Sequence, residues 1–403
     1  MLHQRRFDPA ARPPLAGLRV VDLSRLVAGN MVSLQLADHG AEVIKVEDPQ
    51  KGDPLRAWRV EGHSLHWKVY ARNKKSLALS LRHPEGLALL ADLLATADVL
   101  VENFRPGTLE KWHLDPADLC AANPRLIVVR VSGYGQTGPY ARRAGFGGIG
   151  EAMGGWRALV GTPDRPPSRL GVSIGDSLAG TYGCLGALAA LHEREKSGRG
   201  QIVDVSLFES VLQVMEGLIP EYVAAGHVRA RSGSILKGIA PSNVYPCSDG
   251  ELLIAANQDA IFRRLAAAMG TPELADDARF ATHNARGRHQ ELLDTLIADW
   301  TRGQSVAAVE ALMEQHAVPA GRMFGARDML ADPHFAAREA IVSVETARHG
   351  DLPMQGVFPR LTRTPGGIRR PAPAEVGADT EAELRDAGYD EATIADLKRR
   401  GIV

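Results

Sequence analysis

The feature that most constrains the fold is an alternation of short apolar runs and helical patterns through the first half of the chain. Four runs have strand length: Leu18–Leu23, Glu42–Glu47, Ala97–Asn103 and Arg125–Ser132. Helical patterns lie between them, over Leu26–Gly40 and over about Pro84–Thr96. Strands joined by helices of this length form βαβ units, which place parallel strands in one sheet. The sequence therefore predicts an α/β fold with helices on both faces of a parallel sheet.

A helix rich in small residues is predicted after Asp176 and ends in the polar run HEREKSGRG. Its small residues recur at helical spacing: Ala179, Gly180, Gly183 and Gly186. Each glycine lowers intrinsic helix stability by about 1 kcal/mol. We therefore expect this helix to pack very closely against a neighbouring element. Gln201–Phe208 is predicted to be the next strand.

The composition changes near Glu221. A basic, glycine-containing loop (Arg229, Arg231, Gly233, Lys237, Gly238 and Pro241) precedes two short strand patterns, and amphipathic helical patterns fill about 259–316. This organisation predicts a smaller α+β domain over 221–330. Residues 1–220 and 331–403 are predicted to form the large domain, with one or two polar helices around Gly388 near its end.

Charge and cysteine content exclude several classes of protein. The 403-residue chain has a formal net charge of −1, which gives no general attraction to nucleic acid or to an anionic membrane. Its three cysteines form no CxxC pair, so neither a disulfide framework nor a thiolate zinc site is expected. Neither a signal-peptide core nor an apolar run of about 18 residues occurs, which predicts a cytoplasmic location.

GYGQTG, from Gly133 to Gly138, matches the GxGxxG pattern and follows a predicted strand. A dinucleotide site needs a helix that begins at the last glycines, so that the pyrophosphate meets the helix N-terminus. Pro139 and the ARRAG run follow instead, which is typical of a loop. We therefore expect no nicotinamide site. A plain surface turn and a cradle for a phosphate or thioester tail beside Arg142 and Arg143 both remain open.

Asp176 lies in RLGVSIGDSLAG, where a β-like run meets the small-residue helix. Spacing alone favours an N-cap aspartate, whose carboxylate accepts hydrogen bonds from the first free N–H groups. A functional carboxylate would use the same position, because a helix N-terminus stabilises the ionised form and a developing oxyanion. The residues alone leave both interpretations open.

Basic residues are scattered near the ends of the predicted strands: Arg25, Lys45, Arg72, Lys74, Lys75, Arg82, Arg105 and Lys111. Taken singly, each is expected to be a solvated side chain. Several of them lie where a parallel sheet places its ligand crevice, outside the carboxyl ends of the strands.

Several motifs in order resemble the family III CoA transferases, the group of formyl-CoA transferase and carnitine CoA-transferase. They are PLAGLRVVDLSRLVAG, LADHGAEVIKVEDPQKGDPLR, NKKSLALSL, ADVLVENFRPGTLEKW, NPRLIVVRVSGYGQTGPY, GDSLAG and SGRGQIVDVSLFES. The resemblance runs from about Pro14 to the C-terminus. It implies a Rossmann-like large domain built from both chain ends, a small domain from the middle, and a homodimer of interlocked rings.

The same resemblance implies site residues. Asp176 occupies the position of the nucleophile. The implied CoA contacts are Val27, Ala28, Leu79, Arg82, Asn103, Phe104, Arg105, Lys111 and Arg143. Candidate substrate contacts are Phe146, and Arg231 and Lys237 of the basic loop. The two cations are expected either to pair with a second carboxylate of an acceptor acid or to face water or the CoA phosphates. The sequence departs from the family pattern at Asn30, where proline is usual, and at Gly377–Thr380, where Gly-x-His-Thr is usual. It also lacks the long glycine-rich loop of formyl-CoA transferase, so formate and oxalate are not the expected substrates.

The expected reaction moves CoA from a small acyl-CoA such as succinyl-CoA to a small carboxylic acid, with dicarboxylic acids included. It proceeds through an aspartyl-CoA thioester and needs no metal and no redox cofactor. A 2-methylacyl-CoA racemase of the same fold is the alternative, but it needs a histidine where this chain has Phe146. A non-catalytic acyl-CoA-binding protein is a third alternative.

Overall fold

The computed structural model describes residues 10–403. The described chain divides into two compact units. The first unit contains the described residues up to Trp156, together with Leu170–Pro220 and Ala336–Val403. The second unit contains Arg157–Arg169 and Glu221–Phe335.

A six-stranded sheet organises the first unit. Its strands are β1 (Arg19–Asp22), β2 (Glu42–Glu47), β3 (Lys74–Ala78), β4 (Val99–Glu102), β5 (Ile127–Ser132) and β6 (Ile202–Ser206). They lie in the order β3-β2-β1-β4-β5-β6, and every neighbouring pair is parallel. This is the doubly wound order of Rossmann-type sheets. The predicted α/β class and parallel sheet are confirmed.

Between residue 10 and Ala225, ten α-helices alternate with these strands or follow them. They are α1 (Ala28–Asp38), α2 (Leu65–Tyr70), α3 (Pro84–Ala95), α4 (Thr108–Lys111), α5 (Pro116–Ala122), α6 (Gly147–Met153), α7 (Trp156–Leu159), α8 (Ile174–Ser197), α9 (Leu207–Leu212) and α10 (Leu218–Ala225). A short 3₁₀ turn spans Pro54–Ala57. The predicted strand Gln201–Phe208 is too long at its C-terminal end, because the Ser206 hydroxyl accepts from the Glu209 amide and begins α9.

Both faces of the sheet are buried. Val20 lies in a core on the face covered by α1 and α8, and the next residue, Val21, lies in a core on the opposite face. Alternation along a strand sends neighbouring side chains to opposite faces, so an apolar run without polar gaps suits this double burial.

The small residues of α8 allow it to approach its neighbours closely, as the sequence predicted. A Cβ added at Gly180 would lie 2.4 Å from Cβ of Met31, and one at Gly183 would lie 2.7 Å from Cγ2 of Val32. On the other side, a Cβ at Gly186 would lie 2.6 Å from Cγ1 of Val203 in β6. Glycine at these points lets α8 lie against α1 and the sheet at once.

The second unit contains a three-stranded antiparallel sheet in the order β7-β8-β9: β7 (Ser242–Cys247), β8 (Gly250–Ala255) and β9 (Ala320–Arg322). The helices of this part of the chain are α11 (Asp259–Ala268), α12 (His283–Arg288), α13 (Gln290–Arg302), α14 (Val306–Gln315), α15 (Ala326–Ala331) and α16 (Pro333–Ala337), with a 3₁₀ turn at Pro272–Ala275. The buried Arg286 holds this unit together by donating to the carbonyls of Ala240, Phe280 and Asn257.

The last segment packs within the first unit. It forms a hairpin, β10 (Ile341–Thr346) and β11 (Gly350–Gln355), and the helices α17 (Thr380–Asp386) and α18 (Glu391–Arg399). The Ser76 amide of β3 donates to the Asp379 carboxylate, and the Ala78 amide donates to the Thr380 hydroxyl. Asp379, one of the departures from the family pattern, therefore ties α17 to the edge of the sheet. Within residues 10–403, no helix is long and apolar enough to cross a membrane.

Candidate active site

The strand order reverses beside β1, which has β2 on one side and β4 on the other. In such sheets the ligand crevice lies at this switch point, outside the carboxyl ends of the strands. Here the loops after β1 and β4 are joined by Asn103. Its Oδ1 accepts from the Arg25 amide and its Nδ2 donates to the Arg25 carbonyl, both at 2.8 Å. Asn103 therefore shapes the crevice by holding the two loops together.

A cleft lies at this point, and its empty space of about 470 Å³ includes open solvent. Its lining residues are Leu23, Ser24, Arg25, Val46, Glu47, Asp48, Gly52, Asp53, Leu79, Leu81, Arg82, Phe104 and Trp112. Three of the predicted CoA contacts, Leu79, Arg82 and Phe104, are among them. The Arg25 guanidinium lies 5.1 Å from the centre of the Phe104 ring, and the Trp112 ring meets that ring edge-on. Aromatic and guanidinium surfaces of this kind can stack a base and pair with phosphate oxygens.

The other predicted CoA contacts lie outside the lining of this cleft. The Val27 side chain is buried in a small core with Leu55 and Trp67, so only its backbone can face a ligand. Ala28 is also buried, whereas Arg105, Lys111 and Arg143 are exposed. The Arg143 guanidinium stacks on the ring of Tyr140. The roles predicted for these residues stay predictions.

Buried ionic groups lie beneath the loop after β1. The Asp22 carboxylate is within 3.4 Å of the Lys45 ammonium and 3.2 Å of the Lys74 ammonium, and all three side chains are inaccessible. Burial opposes ionisation of Asp22, but the two lysines and hydrogen bonds from Ser24 and Ser33 outweigh it and hold its pKa at about 2. Burial lowers the pKa of Lys74 to about 8, and the nearby Lys45 adds to this effect against the opposing Asp22 carboxylate.

Asp176 lies in the first turn of α8, and the N-cap interpretation is wrong. The N-cap is Ser173, and α8 begins at Ile174, two residues before Asp176. Gly175, in the first turn of α8, lies tightly against α6. A Cβ at Gly175 would lie only 3.0 Å from the Gly147 carbonyl oxygen. Asp176 is partly exposed in the first turn of this 24-residue helix, at the positive end of the helix dipole.

Gly147, the first residue of α6, packs directly on the Asp176 carboxylate. A Cβ at Gly147 would lie 2.4 Å from Oδ2 and 2.8 Å from Cγ of Asp176. A side chain at position 147 would therefore have to displace the Asp176 carboxylate. One side of the carboxylate is therefore covered by backbone, and its approach by a substrate is restricted to the remaining side.

Tyr70 is a further neighbour of Asp176 that no sequence pattern indicated. Burial raises the pKa of Tyr70, and the nearby Asp176 carboxylate raises it further. A hydrogen bond shared with Ser177 acts in the opposite direction. Ser177 in turn donates to the Ser173 carbonyl at 2.9 Å. Gly147 and Tyr70 reach Asp176 only through tertiary packing, so no local signal could have identified either of them.

The three predicted substrate contacts lie in different places. Phe146 immediately precedes α6, and its side chain is 69% exposed next to Gly147. Arg231 and Lys237 belong to the second unit, where the Arg231 Nε donates to the Thr162 carbonyl and Lys237 is exposed. Their role in binding a substrate stays a prediction.

The GYGQTG turn is bonded to its own strands. The Gly135 amide donates to the Ser132 hydroxyl, and the Gln136 amide donates to the Asp204 carboxylate, both at 2.9 Å. The next helix begins only at Gly147, so the turn does not lead into a helix N-terminus as a dinucleotide fingerprint requires. Across residues 10–403, no cluster of three or more His, Cys, Asp or Glu side chains could hold a metal ion.

A doubly wound sheet whose switch-point cleft is lined by Arg25, Arg82 and two aromatic rings is typical of proteins that bind ligands with a nucleotide moiety. Comparison with known proteins narrows this class. Residues 15–380 match CoA-transferase family III. The chain belongs to this family, and the prediction that it is a CoA-transferase is confirmed.

Named relatives match over nearly the whole chain. The succinyl-CoA–D-citramalate CoA-transferase of Chloroflexus aurantiacus is 53% identical over 97% of this chain and 98% of its own. The beta subunit of the succinyl-CoA–L-malate CoA-transferase of the same organism is 40% identical with the same coverage. A crystal structure of a CAIB/BAIF family protein from Brucella suis has a TM-score of 0.83 at 35% identity, covering 93% of this chain and all of that one.

Proposed function

We propose that the protein transfers CoA from succinyl-CoA to a short dicarboxylic acid through a covalent intermediate on Asp176. The observation that carries this proposal is the partly exposed Asp176 carboxylate in the first turn of α8, packed against Gly147 in a chain of this family. Its placement restricts the approach of the substrate, and the helix start stabilises the charge that the reaction needs.

The chemistry divides into balanced acyl exchanges. An Asp176 oxygen attacks the thioester carbonyl of succinyl-CoA, and the C–S bond breaks to give a mixed anhydride and CoA thiolate. The thiolate then attacks the Asp176 carbonyl, which releases succinate and leaves an aspartyl-CoA thioester. The acceptor carboxylate attacks that thioester and expels the thiolate again. Attack of the thiolate on the acceptor's carbonyl forms the new acyl-CoA and returns Asp176 to a free carboxylate.

A carboxylate nucleophile suits this exchange because its anhydride conserves the activation of the thioester. No net oxidation occurs, and no step consumes or releases a proton. The proposal therefore includes neither a metal nor a redox cofactor. The Tyr70 hydroxyl is hydrogen-bonded with Ser177 and interacts electrostatically with Asp176. We expect it to stabilise negative charge on the Asp176 carboxylate during the reaction.

The racemase alternative fits the site poorly. Proton exchange at a carbon α to the thioester needs a base opposite Asp176. The chain has no histidine between Gly133 and Ala190. The position where the racemase needs that histidine holds Phe146.

Two observations support a dicarboxylic acid as the acceptor: the acids named in the relatives and the positive charge of one loop in this chain. The two relatives described above carry D-citramalate and L-malate in their names, both C4-chain hydroxydicarboxylates. One carboxylate of such an acid reacts, so the second needs a cationic partner. Arg231 and Lys237 are our candidates, since Arg offers bidentate pairing and both residues lie among small residues in one loop. The interlocked homodimer also remains part of this proposal.

A screen of acceptors tests the proposal. Succinyl-CoA is offered with citramalate, malate and glutarate, and with butyrate and lactate as monocarboxylate controls, and products are identified by mass. We expect new acyl-CoA only with diacids. Arg231→Ala or Lys237→Ala should raise KM for the diacid by about 10-fold, the effect of one lost charge-assisted hydrogen bond. Preference for monocarboxylates would contradict the proposed acceptor class, and inversion of a 2-methylacyl-CoA without transfer would favour the racemase.

A further inference from the structure

The loop between β1 and α1 contains a backbone conformation that an ordinary side chain rarely adopts. Leu26 has φ of 60°, in the left-handed region, and it immediately precedes Val27 and Ala28. A leucine in this region is strained, and such strain persists only where the surrounding structure fixes it. The interactions that fix Leu26 therefore decide the path of the chain into α1.

Two buried side chains hold the Leu26 peptide groups. The Leu26 amide donates to Oδ1 of Asp53 at 3.1 Å, and the Leu26 carbonyl accepts from Nδ2 of Asn30 at 2.6 Å. The two side chains are also bonded to each other, because the Asn30 Nδ2 donates to Oδ2 of Asp53 at 2.8 Å. Asn30 is fully inaccessible and Asp53 is nearly so. We call Leu26, Asn30 and Asp53 the Leu26 clamp.

The clamp is anchored to the sheet by two buried lysines. The Lys74 ammonium donates to Oδ1 of Asn30 at 2.9 Å, and the Lys45 ammonium pairs with Oδ2 of Asp53 at 3.2 Å. Only an amide can accept from Lys74 while it donates to both Leu26 and Asp53. A proline at this position could do neither. The identity of residue 30 thus determines how the loop is held in this chain.

The clamped segment lies against the helix that carries Asp176. A Cβ at Gly180 would lie 2.8 Å from the Ala28 carbonyl oxygen. Gly180 is four residues after Asp176 on α8, so the two residues lie on the same face, one turn apart. A change in the path of the chain at Leu26 would therefore move Val27 and Ala28 relative to the Asp176 carboxylate.

We propose that Asn30 is a positioning residue that holds Leu26 in the left-handed conformation and thereby places Val27 and Ala28 beside the start of α8. Its effect on turnover rests on the function proposed above, but its effect on the loop does not. Asn30 acts through Leu26, so a change that removes the strain at Leu26 should compensate for the loss of Asn30.

The test is a rescue experiment. Asn30→Ala should reduce kcat/KM for succinyl-CoA transfer by about 10-fold or more, since small displacements at a reacting centre cost this much. Leu26→Gly removes the steric penalty of the left-handed region, because glycine populates it freely. The double variant, Leu26→Gly with Asn30→Ala, should have a kcat/KM close to that of Leu26→Gly alone. Most of the loss caused by Asn30→Ala should then be recovered.

Two controls make the rescue specific. Ser33→Ala removes another acceptor of the Lys74 ammonium without touching Leu26, so Leu26→Gly should not rescue it. Ala317→Gly relieves a left-handed residue in the second unit, where φ is 52°, and should not rescue Asn30→Ala. Equal rescue of Ser33→Ala and Asn30→Ala, or no rescue of Asn30→Ala, would overturn the proposal.

Hydrogen–deuterium exchange provides a readout that does not depend on turnover. The Leu26 amide should exchange about 10-fold faster or more in Asn30→Ala, and Leu26→Gly should restore protection at position 26 in the double variant. If the wild-type protein transfers CoA to no acceptor, the proposed function is contradicted. The rate of hydrogen–deuterium exchange at the Leu26 amide then tests the role of Asn30 by itself. Unchanged exchange at position 26 in Asn30→Ala would refute the clamp, whatever the activity.

Discussion

Two regions at the carboxyl edge of the same parallel sheet differ in what they leave accessible. At the β1–β4 switch point, Asn103 joins the two loops beside a cleft that opens to solvent. At the β5–β6 edge, the GYGQTG turn is bonded to Ser132 and Asp204. The glycine-rich motif is therefore found away from the cleft. Reversal of the strand order opens the crevice, and a pattern of glycines alone does not.

The two regions also pair their buried charges differently. At the switch point one carboxylate, Asp22, lies between two inaccessible ammonium groups. On the β5 side of the switch point one guanidinium, Arg130 of β5, lies between the carboxylates of Glu102 of β4 and Glu110 of α4, and Glu110 is partly exposed. Loss of one carboxylate should therefore lower the free energy of unfolding by different amounts in the two regions.

The largest effect is expected at Asp22. Asp22→Asn leaves two buried ammonium groups without their shared carboxylate, and should lower the free energy of unfolding by about 3–5 kcal/mol. Glu102→Gln, the matched change beside Arg130, leaves that guanidinium paired with Glu110 at 2.9 Å and should cost about 2 kcal/mol or less. Urea denaturation measures both, and equal losses would remove this distinction between the regions.

The next effect concerns Gly147. Gly147→Ala fits the helical backbone, but its Cβ would displace the Asp176 carboxylate, so kcat should fall by about 100-fold. Alanine favours a helix over glycine, so the fold should keep its thermal stability. Gly171→Ala is the control, because nothing lies within 4 Å of a Cβ there. Normal kcat in Gly147→Ala would show that Asp176 does not react from the position described.

A third prediction uses the pKa of Lys74, which burial lowers to about 8. Between about pH 8 and the ordinary lysine value near 10.5, the unfolded chain binds this proton and the folded chain does not. The free energy of unfolding should therefore rise with pH across this window, by about 1–3 kcal/mol. The difference between wild type and Lys74→Met, measured by denaturation at each pH, isolates this contribution. A difference that stays flat or falls would contradict a lowered pKa.

The smallest effect is expected for single cations around the cleft. Arg82 lines the cleft, so Arg82→Ala should raise KM for succinyl-CoA by about 10-fold through loss of one charge-assisted contact. Arg142 follows the GYGQTG turn and is exposed outside the cleft lining, so Arg142→Ala should change KM by less than about 2-fold. The reverse order of these effects would place the CoA moiety at the β5–β6 edge.

Much of the sheet could be predicted because its strands are apolar on both faces. β3 was not predicted as a strand, because KKSLA begins with two lysines and its burial depends on Asp22 in another strand. Asp176 was identified as a candidate, but its place within α8 depends on the contact between Gly175 and Gly147. Asn30 was visible only as a departure from the family pattern. Its hydrogen bonds join residues that lie up to 44 positions apart in the sequence.

The central claim is that Asp176 becomes covalently attached during transfer. The protein is incubated with succinyl-CoA without acceptor, trapped with hydroxylamine, digested and examined by peptide mass spectrometry, with Asp176→Asn as the control. The account predicts a hydroxamate on the Asp176 peptide of the wild type and none in the variant, which should also lose transfer. A hydroxamate on another residue, no trapping under turnover conditions, or full transfer by Asp176→Asn would contradict the account.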